Sequence, residues 1–353
     1  MRSLLGIGEQ TVVWVHSPHH RAVGTKGAPA EDGTGLPYAA VMRAVLVVNP
    51  RATATTPAGR DVLAHALASE VKLEVVETDY RGHALLAARA AAADGADLVV
   101  AHGGDGTVNE VVNGLLADGL RPDLPMLGVV PGGSANVFAR ALGLPRNPVD
   151  ATHQLLRAID ERRSRRVGLG RVEPNVAVET GPRWFTFNAG VGLDADVVAG
   201  VDRKRGKRAS QLLYLRVAVA EYLRPKHERP DLTVLVPGHE PVSGLKLAFV
   251  SNTDPWTYLG DRPVRLSPGT TFEGGLGLFG LRTLGLPTVA RHLRQALSPS
   301  GKQKGRKLVG LEDVPLVVVR AEEPARLQVD GDLIGERTEV VFTSVPDALN
   351  VVV

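Results

Sequence analysis

The chain of 353 residues contains no cysteine. That absence excludes a disulfide scaffold, a cysteine-ligated zinc, an iron–sulfur cluster and thiol catalysis together, and it fits a reducing compartment. Aromatic residues make up only 4%, which argues against a stacking surface for single-stranded nucleic acid. No apolar run approaches the roughly 20 residues that a membrane-crossing helix needs. The first eight residues carry a short apolar run, but Glu9 interrupts it before a secretion signal can develop. Charge of one sign is scarce too. Against 41 Lys and Arg stand 38 Asp and Glu, a net of +3, so attraction to acidic partners must come from local clusters.

What is present reads as globular: 44% hydrophobic and 22% charged residues. At roughly 150 residues per domain the length favours two domains. Residues 1–41 lack periodicity and are predicted to be a disordered extension. From Ala44 onward, β-branched apolar runs at 45–48, 73–76, 98–101 and 126–130 alternate with helical patterns at 57–70, 83–93, 108–116 and 137–142. This predicts an α/β domain over 42–164 built on a doubly wound parallel sheet, with its binding site beyond the carboxyl ends of the strands. After a helix at 148–163 the grammar changes. Short strand candidates at 167–178, 184–188, 232–236, 245–251, 316–320, 326–329 and 339–343, with helices at 211–223 and 288–297, predict a mainly β second domain over 165–353. Its last segment is expected to pack back on the first domain.

Three strand-end loops carry the chemistry. A buried strand runs into Gly103-Gly104-Asp105-Gly106-Thr107 and then a helix containing Asn109 and Glu110. Glycines at such a junction let the backbone approach a ligand closely, and a helix N-terminus favours phosphate. The run is neither a Walker A loop, lacking the Lys-Ser/Thr pair, nor the dinucleotide fingerprint. Pro131-Gly132-Gly133-Ser134-Ala135-Asn136 has the same design, with Ser134 placed to donate to a phosphate or to cap the helix. Asn49-Pro50-Arg51-Ala52-Thr53 is the third loop. All three leave strand carboxyl ends and so can converge on one nucleotide.

These motifs resemble the diacylglycerol kinase catalytic family, in its bacterial lipid-kinase branch, to which sphingosine kinases and, more distantly, NAD kinases are related. The resemblance runs from about Arg43 to the C-terminus. It implies an NAD-kinase-like nucleotide domain, with ATP and Mg2+ as cofactors. Asn49, Thr53, Thr78, Gly103, Gly104, Asp105, Gly106, Thr107, Asn109 and Ser134 would contact ATP, and Asp105 would hold the catalytic magnesium through water. Gln328-Val329-Asp330-Gly331-Asp332 is similar to the family's Asp-Gly-Glu motif, so Asp330 or Asp332 would deprotonate the lipid hydroxyl. An Asp-Gly pair is also an ordinary hairpin turn. The family's structural magnesium stretch falls at 267–278, where Thr270, Glu273 and the Gly275 carbonyl remain, but Gly277 stands where an aspartate is common.

The resemblance further implies a lipid acceptor, diacylglycerol first, with sphingoid bases or phosphatidylglycerol as alternatives. A catalytically decayed nucleotide-binding regulator is the competing class. Basic clusters at 203–208 and at Lys302, Lys304, Arg306 and Lys307 suit anionic lipid headgroups. The expected location is therefore cytoplasmic and peripheral to the membrane, with no nucleic-acid partner and a homodimer left open. Residues 252–260 are expected to line the acceptor cleft. His65, His83, His102 and His292 lack ligand spacing and read as structural.

Overall fold

The computed structural model describes residues 13–15, 41–173, 181–192 and 231–353. In chain order the first half contains β1 (Val13–Val15), β2 (Arg43–Val48), α1 (Pro57–Ala68), β3 (Lys72–Glu77), α2 (His83–Ala93), β4 (Leu98–Gly103), α3 (Asp105–Leu115), β5 (Met126–Pro131), α4 (Val137–Ala141) and α5 (Pro148–Asp160). The second half contains β6 (Arg165–Val172), β7 (Arg183–Phe185), β8 (Asn188–Gly192), β9 (Leu232–Leu235), β10 (Val242–Leu245) and β11 (Leu247–Ser251). It continues through β12 (Thr257–Leu259), β13 (Arg262–Val264), β14 (Leu276–Leu281), α6 (Leu286–Ala296), β15 (Leu308–Val314), β16 (Leu316–Val329) and β17 (Asp332–Val351).

Local chemistry sets the helix starts. Thr56 accepts a hydrogen bond from the Gly59 amide ahead of α1, Asn147 does the same for Val149 ahead of α5, and each helix opens on proline. Helix α2 has no side-chain cap of its own, since Gly82 precedes it. The Glu110 carboxylate of α3 serves instead, accepting from the Gly82 and Ala84 amides.

The parallel strands pair in the order β3-β2-β4-β5, so the order reverses between β2 and β4. Ligands in doubly wound sheets sit outside that reversal. Asn49 follows one of these two strands and Gly104 the other. The short β1 pairs in parallel with β3 within the extension read as unstructured. Beyond β5 the same sheet continues into the second half. There β17 is antiparallel to β16 and β6, and its end lies parallel to β5, with Val351 opposite Leu127. The last segment thus packs back on the first half.

Several predicted strands are longer or differently divided. The candidates at 316–320 and 326–329 are one strand, β16, carried past Pro324 by a register shift between Arg320 and Ala325. The candidates at 184–188 and 245–251 each split in two. Strands β14 and β15 carried no sequence prediction, because Gly277 and Gly280 interrupt the apolar run of β14. The predicted helix at 211–223, the basic cluster at 203–208 and the end of the strand predicted at 167–178 lie outside the described residues.

Candidate active site

Two glycine loops press backbone against backbone. The Gly132 amide donates to the Gly103 carbonyl at 2.7 Å, and a Cβ built on Gly133 would lie 2.6 Å from Gly104 Cα. No other residue type fits that contact. The Asn49 loop closes the third side: Ala54 N donates to Gly132 O at 2.8 Å, and Asn49 Nδ2 donates to Thr107 Oγ1 at 3.0 Å. Thr78 N donates to Val48 O, which brings the end of β3 alongside. Asn49, Thr78, Gly103–Thr107 and Ser134 are therefore assembled around one end of the sheet, with Thr53 exposed on the bridging loop. Thr55, absent from the sequence reading, lies beside Gly132 with its hydroxyl buried and unpartnered.

Helix α3 begins at Asp105, earlier than predicted, so Asp105, Gly106 and Thr107 form its first turn. A Cβ on Gly106 would meet nothing within 4 Å, so space lies open over that turn for an incoming anion. Asp105 is half-buried, and its Oδ1 accepts from the Phe138 amide of α4 at 3.3 Å. Desolvation pushes its carboxyl up to about 7, against the backbone hydrogen bonds from 136–138, and neighbouring Asp330 adds to the rise. A carboxyl held this way suits a divalent cation, whose charge would offset the cost of ionising it.

The second half supplies its acids from a two-residue turn. Val329 pairs with Asp332, and the central residues Asp330 and Gly331 have φ of 46° and 82°, as a type I′ hairpin requires. The ordinary hairpin turn is therefore present, and it carries both carboxylates. The two carboxylates differ sharply. Asp330 is 6% exposed. Its Oδ2 accepts from Asn109 Nδ2 (2.8 Å), Thr186 N (2.7 Å) and Thr186 Oγ1 (2.7 Å), and its Oδ1 accepts from Phe187 N and Asn188 N. Five donors leave it no free face toward a substrate hydroxyl. Burial still pushes its carboxyl up, with the Thr186, Asn188 and Phe187 donors acting in the opposite sense. Asp332 instead stands at the rim, paired with Arg81 at 2.7 Å and Arg183 at 3.6 Å.

Asn109 ties the halves together. While it donates to Asp330, its Oδ1 accepts from Arg183 Nη2 at 2.9 Å. One turn later, Asn113 donates to the Trp184 carbonyl and accepts from the Trp184 amide. Arg81, Asn113, Thr186 and Arg183 escaped the sequence reading. Only Asn113 left a trace, as a polar residue four positions after Asn109 on the same helix face.

Of the structural-magnesium candidates, only Glu273 carries charge, and that charge is already paired. Glu273 is exposed and bound to Arg165, whose hydrogen bond and charge lower its carboxyl. The Gly275 amide is held by Asp313, and the Thr270 hydroxyl is buried without a partner. A Cβ on Gly277 would lie 2.2 Å from Thr270 Oγ1, so the position cannot admit the aspartate that the family often has there. This set does not fit a metal, and no metal-holding cluster of acidic or histidine side chains occurs among the described residues. The histidines make local contacts: His65 Nδ1 lies 2.7 Å from Asp61 O and His292 Nδ1 lies 2.9 Å from Gln303 Oε1. His102 is buried against Val130 O, and His83 stacks on Tyr80.

Asn252 is buried, donating to the Gly168 and Thr186 carbonyls. In the β12–β13 hairpin that follows, Tyr258 packs under the Arg140 guanidinium of α4, 3.2 Å from the ring centroid. The 252–260 segment therefore bridges the second half to the helix that follows the Pro131–Asn136 loop.

Comparison with known proteins agrees with this architecture. A lipid kinase YegS-like protein of Xanthomonas oryzae is 38% identical over 146 residues, covering 41% of this chain and 45% of its own. A diacylglycerol kinase of Bacillus subtilis is 39% identical over 137 residues, covering 39% and 41%. The chain thus spans less than half the length of the curated relatives it matches. A solved diacylglycerol kinase structure from Bacillus anthracis superposes with a TM-score of 0.65 over 89% of this chain and 98% of that one, at 19% identity, which shows a shared fold. Residues 43–172 match the family described as the diacylglycerol kinase catalytic domain, so this segment of the chain is similar to that family.

Proposed function

We propose that the protein is an ATP-dependent lipid kinase that phosphorylates a lipid hydroxyl, with diacylglycerol as acceptor and phosphatidic acid as product. The observation that carries this reading is the 2.8 Å hydrogen bond from Asn109 to Asp330. It joins the helix that opens with the glycine loop to the turn that bears the acids, which supports a single site made from both halves.

Bound ATP with Mg2+ would supply the phosphoryl group. Gly103–Thr107, Ser134, Asn49 and Thr53 would hold its phosphates through main-chain amides and hydroxyls, and Asp105 would face the cation. Phosphoryl transfer asks the protein for positioning and for a group that takes the hydroxyl proton. Asp332 fits the second role and Asp330 does not, because every acceptor direction of Asp330 is already taken. Asp330 and Asn109 are positioning residues that fix the turn beneath the base.

Incubation with labelled ATP and a panel of lipids in mixed micelles tests this reading. Label in diacylglycerol is the expected result. Label in a sphingoid base or phosphatidylglycerol would reassign the acceptor, and no labelled lipid at all would leave a nucleotide-binding regulator.

A further inference from the structure

From Gly274 to Leu311 the sequence contains no aspartate or glutamate but seven arginines and lysines. Helix α6 lies inside this stretch and buries little of itself: His292 and Ala296 face the core, and Val289 packs beside them. At about 100° per residue, Leu286, Ala290 and Leu293 form one stripe, and Arg291 and Arg294 lie along its flank. Leu286 is 69% exposed and Leu293 51%, so the stripe is an apolar edge without a partner among the described residues. The following loop folds back along the helix, since Gln295 bonds both the amide and the carbonyl of Lys304 and His292 meets Gln303.

Those bonds fix the Lys304 backbone beside Gln295, the neighbour of Arg294, with Lys302, Arg306 and Lys307 close by in the same loop. The six, Arg291 and Arg294 included, are exposed, and none has an ion-pair partner among the described residues. Elsewhere exposed arginines such as Arg89, Arg163 and Arg320 pair with carboxylates. Unneutralised cations beside exposed leucines match a surface that is anionic outside and apolar beneath. A nucleic acid would use the cations and leave the leucines unaccounted for.

We infer that α6 and the 302–307 loop form the surface by which the protein docks on an anionic lipid bilayer. Its position suits the proposed chemistry, and to that extent the inference rests on the lipid-kinase reading. Arg262 Nε donates to Leu297 O at the end of α6. Through that contact the β12–β13 hairpin runs from the docking helix to Arg140, in the helix next to the nucleotide loop. A lipid entering from the membrane would meet this hairpin first.

The test is sedimentation of the full chain with vesicles of phosphatidylcholine, with and without phosphatidylglycerol, at low and high salt. Phosphorylation of a short-chain, water-soluble diacylglycerol is measured in parallel. Wild type is expected to bind the anionic vesicles and release at high salt. Both a K302E/K304E/R306E/K307E variant and an L286S/L293S variant should bind about tenfold more weakly or worse. Neither should lose activity on the soluble acceptor, which also shows that they fold. Wild-type binding by both variants, equal binding of wild type to neutral vesicles, or capture by DNA but not by vesicles would overturn the inference. Vesicle binding lost as expected, in a protein that phosphorylates no lipid, would uphold the surface and fail the kinase reading alone.

Discussion

The floor and the rim of the cleft use the same residue type in opposite ways. Asp330, on the floor, is surrounded by five donors from α3 and the 186–188 backbone. Asp332, two residues on, meets only two guanidiniums at an edge open to solvent. A carboxylate whose lone pairs are all taken fixes geometry. One held at an edge by ion pairs, one of them to an exposed arginine, can exchange partners when a substrate arrives. The contrast teaches that an acid's role is set by how many of its acceptor directions remain, more than by its place in a motif.

Substitutions at four positions would break or sharpen that contrast. The largest effect is expected on rate. Asp332→Asn should lower kcat by about 10^2 to 10^4, the usual range for a lost proton acceptor, with the unfolding temperature unchanged. Retained turnover would return the base role to another group. Asp330→Asn should act mainly on stability, because an amide nitrogen would then face donors in a buried site. A loss of about 3–5 kcal/mol in chemical denaturation is expected, and a fully stable but inactive variant would reverse the two assignments. Arg183→Ala should lower kcat/KM by about tenfold, or about 1.4 kcal/mol, by freeing both Asp332 and Asn109. Arg183→Lys should recover part of that loss.

The smallest effect depends on pH. Asp105 rises from 3.8 to about 7 on folding, so the folded protein keeps a proton that the unfolded chain releases. Its contribution to stability is full below the unfolded value and is lost as pH climbs through about 7. Asp105→Asn should therefore stabilise the ligand-free protein at pH 8, by on the order of 1 kcal/mol, and change little at pH 4. Thermal melts at the two pH values measure this, and equal shifts at both would show that Asp105 is not held protonated.

The glycine-loop side of the candidate site was legible because its signals are local. Gly103-Gly104-Asp105-Gly106-Thr107 follows a continuous apolar strand, and glycines at a strand end announce close backbone contact. The acid turn was legible as a motif, but the division of labour within it was not. It depends on Thr186, Arg183 and Arg81, which lie about 144 to 251 residues away in sequence. Strand β16 was hidden for a different reason. Glu322-Glu323-Pro324 reads as an end to any strand, yet the sheet absorbs it as an irregularity. The magnesium stretch misled because spacing was kept while side chains turned elsewhere, Glu273 outward to Arg165 and Thr270 inward against Gly277.

Strand β17 begins at the acid turn and ends by pairing Val351 with Leu127 and bonding Val352 to the same strand. During synthesis every motif of the site emerges from the ribosome before that pairing can form. That far pairing is the seam by which the strand leaving the acid turn joins the parallel sheet that carries the glycine loops.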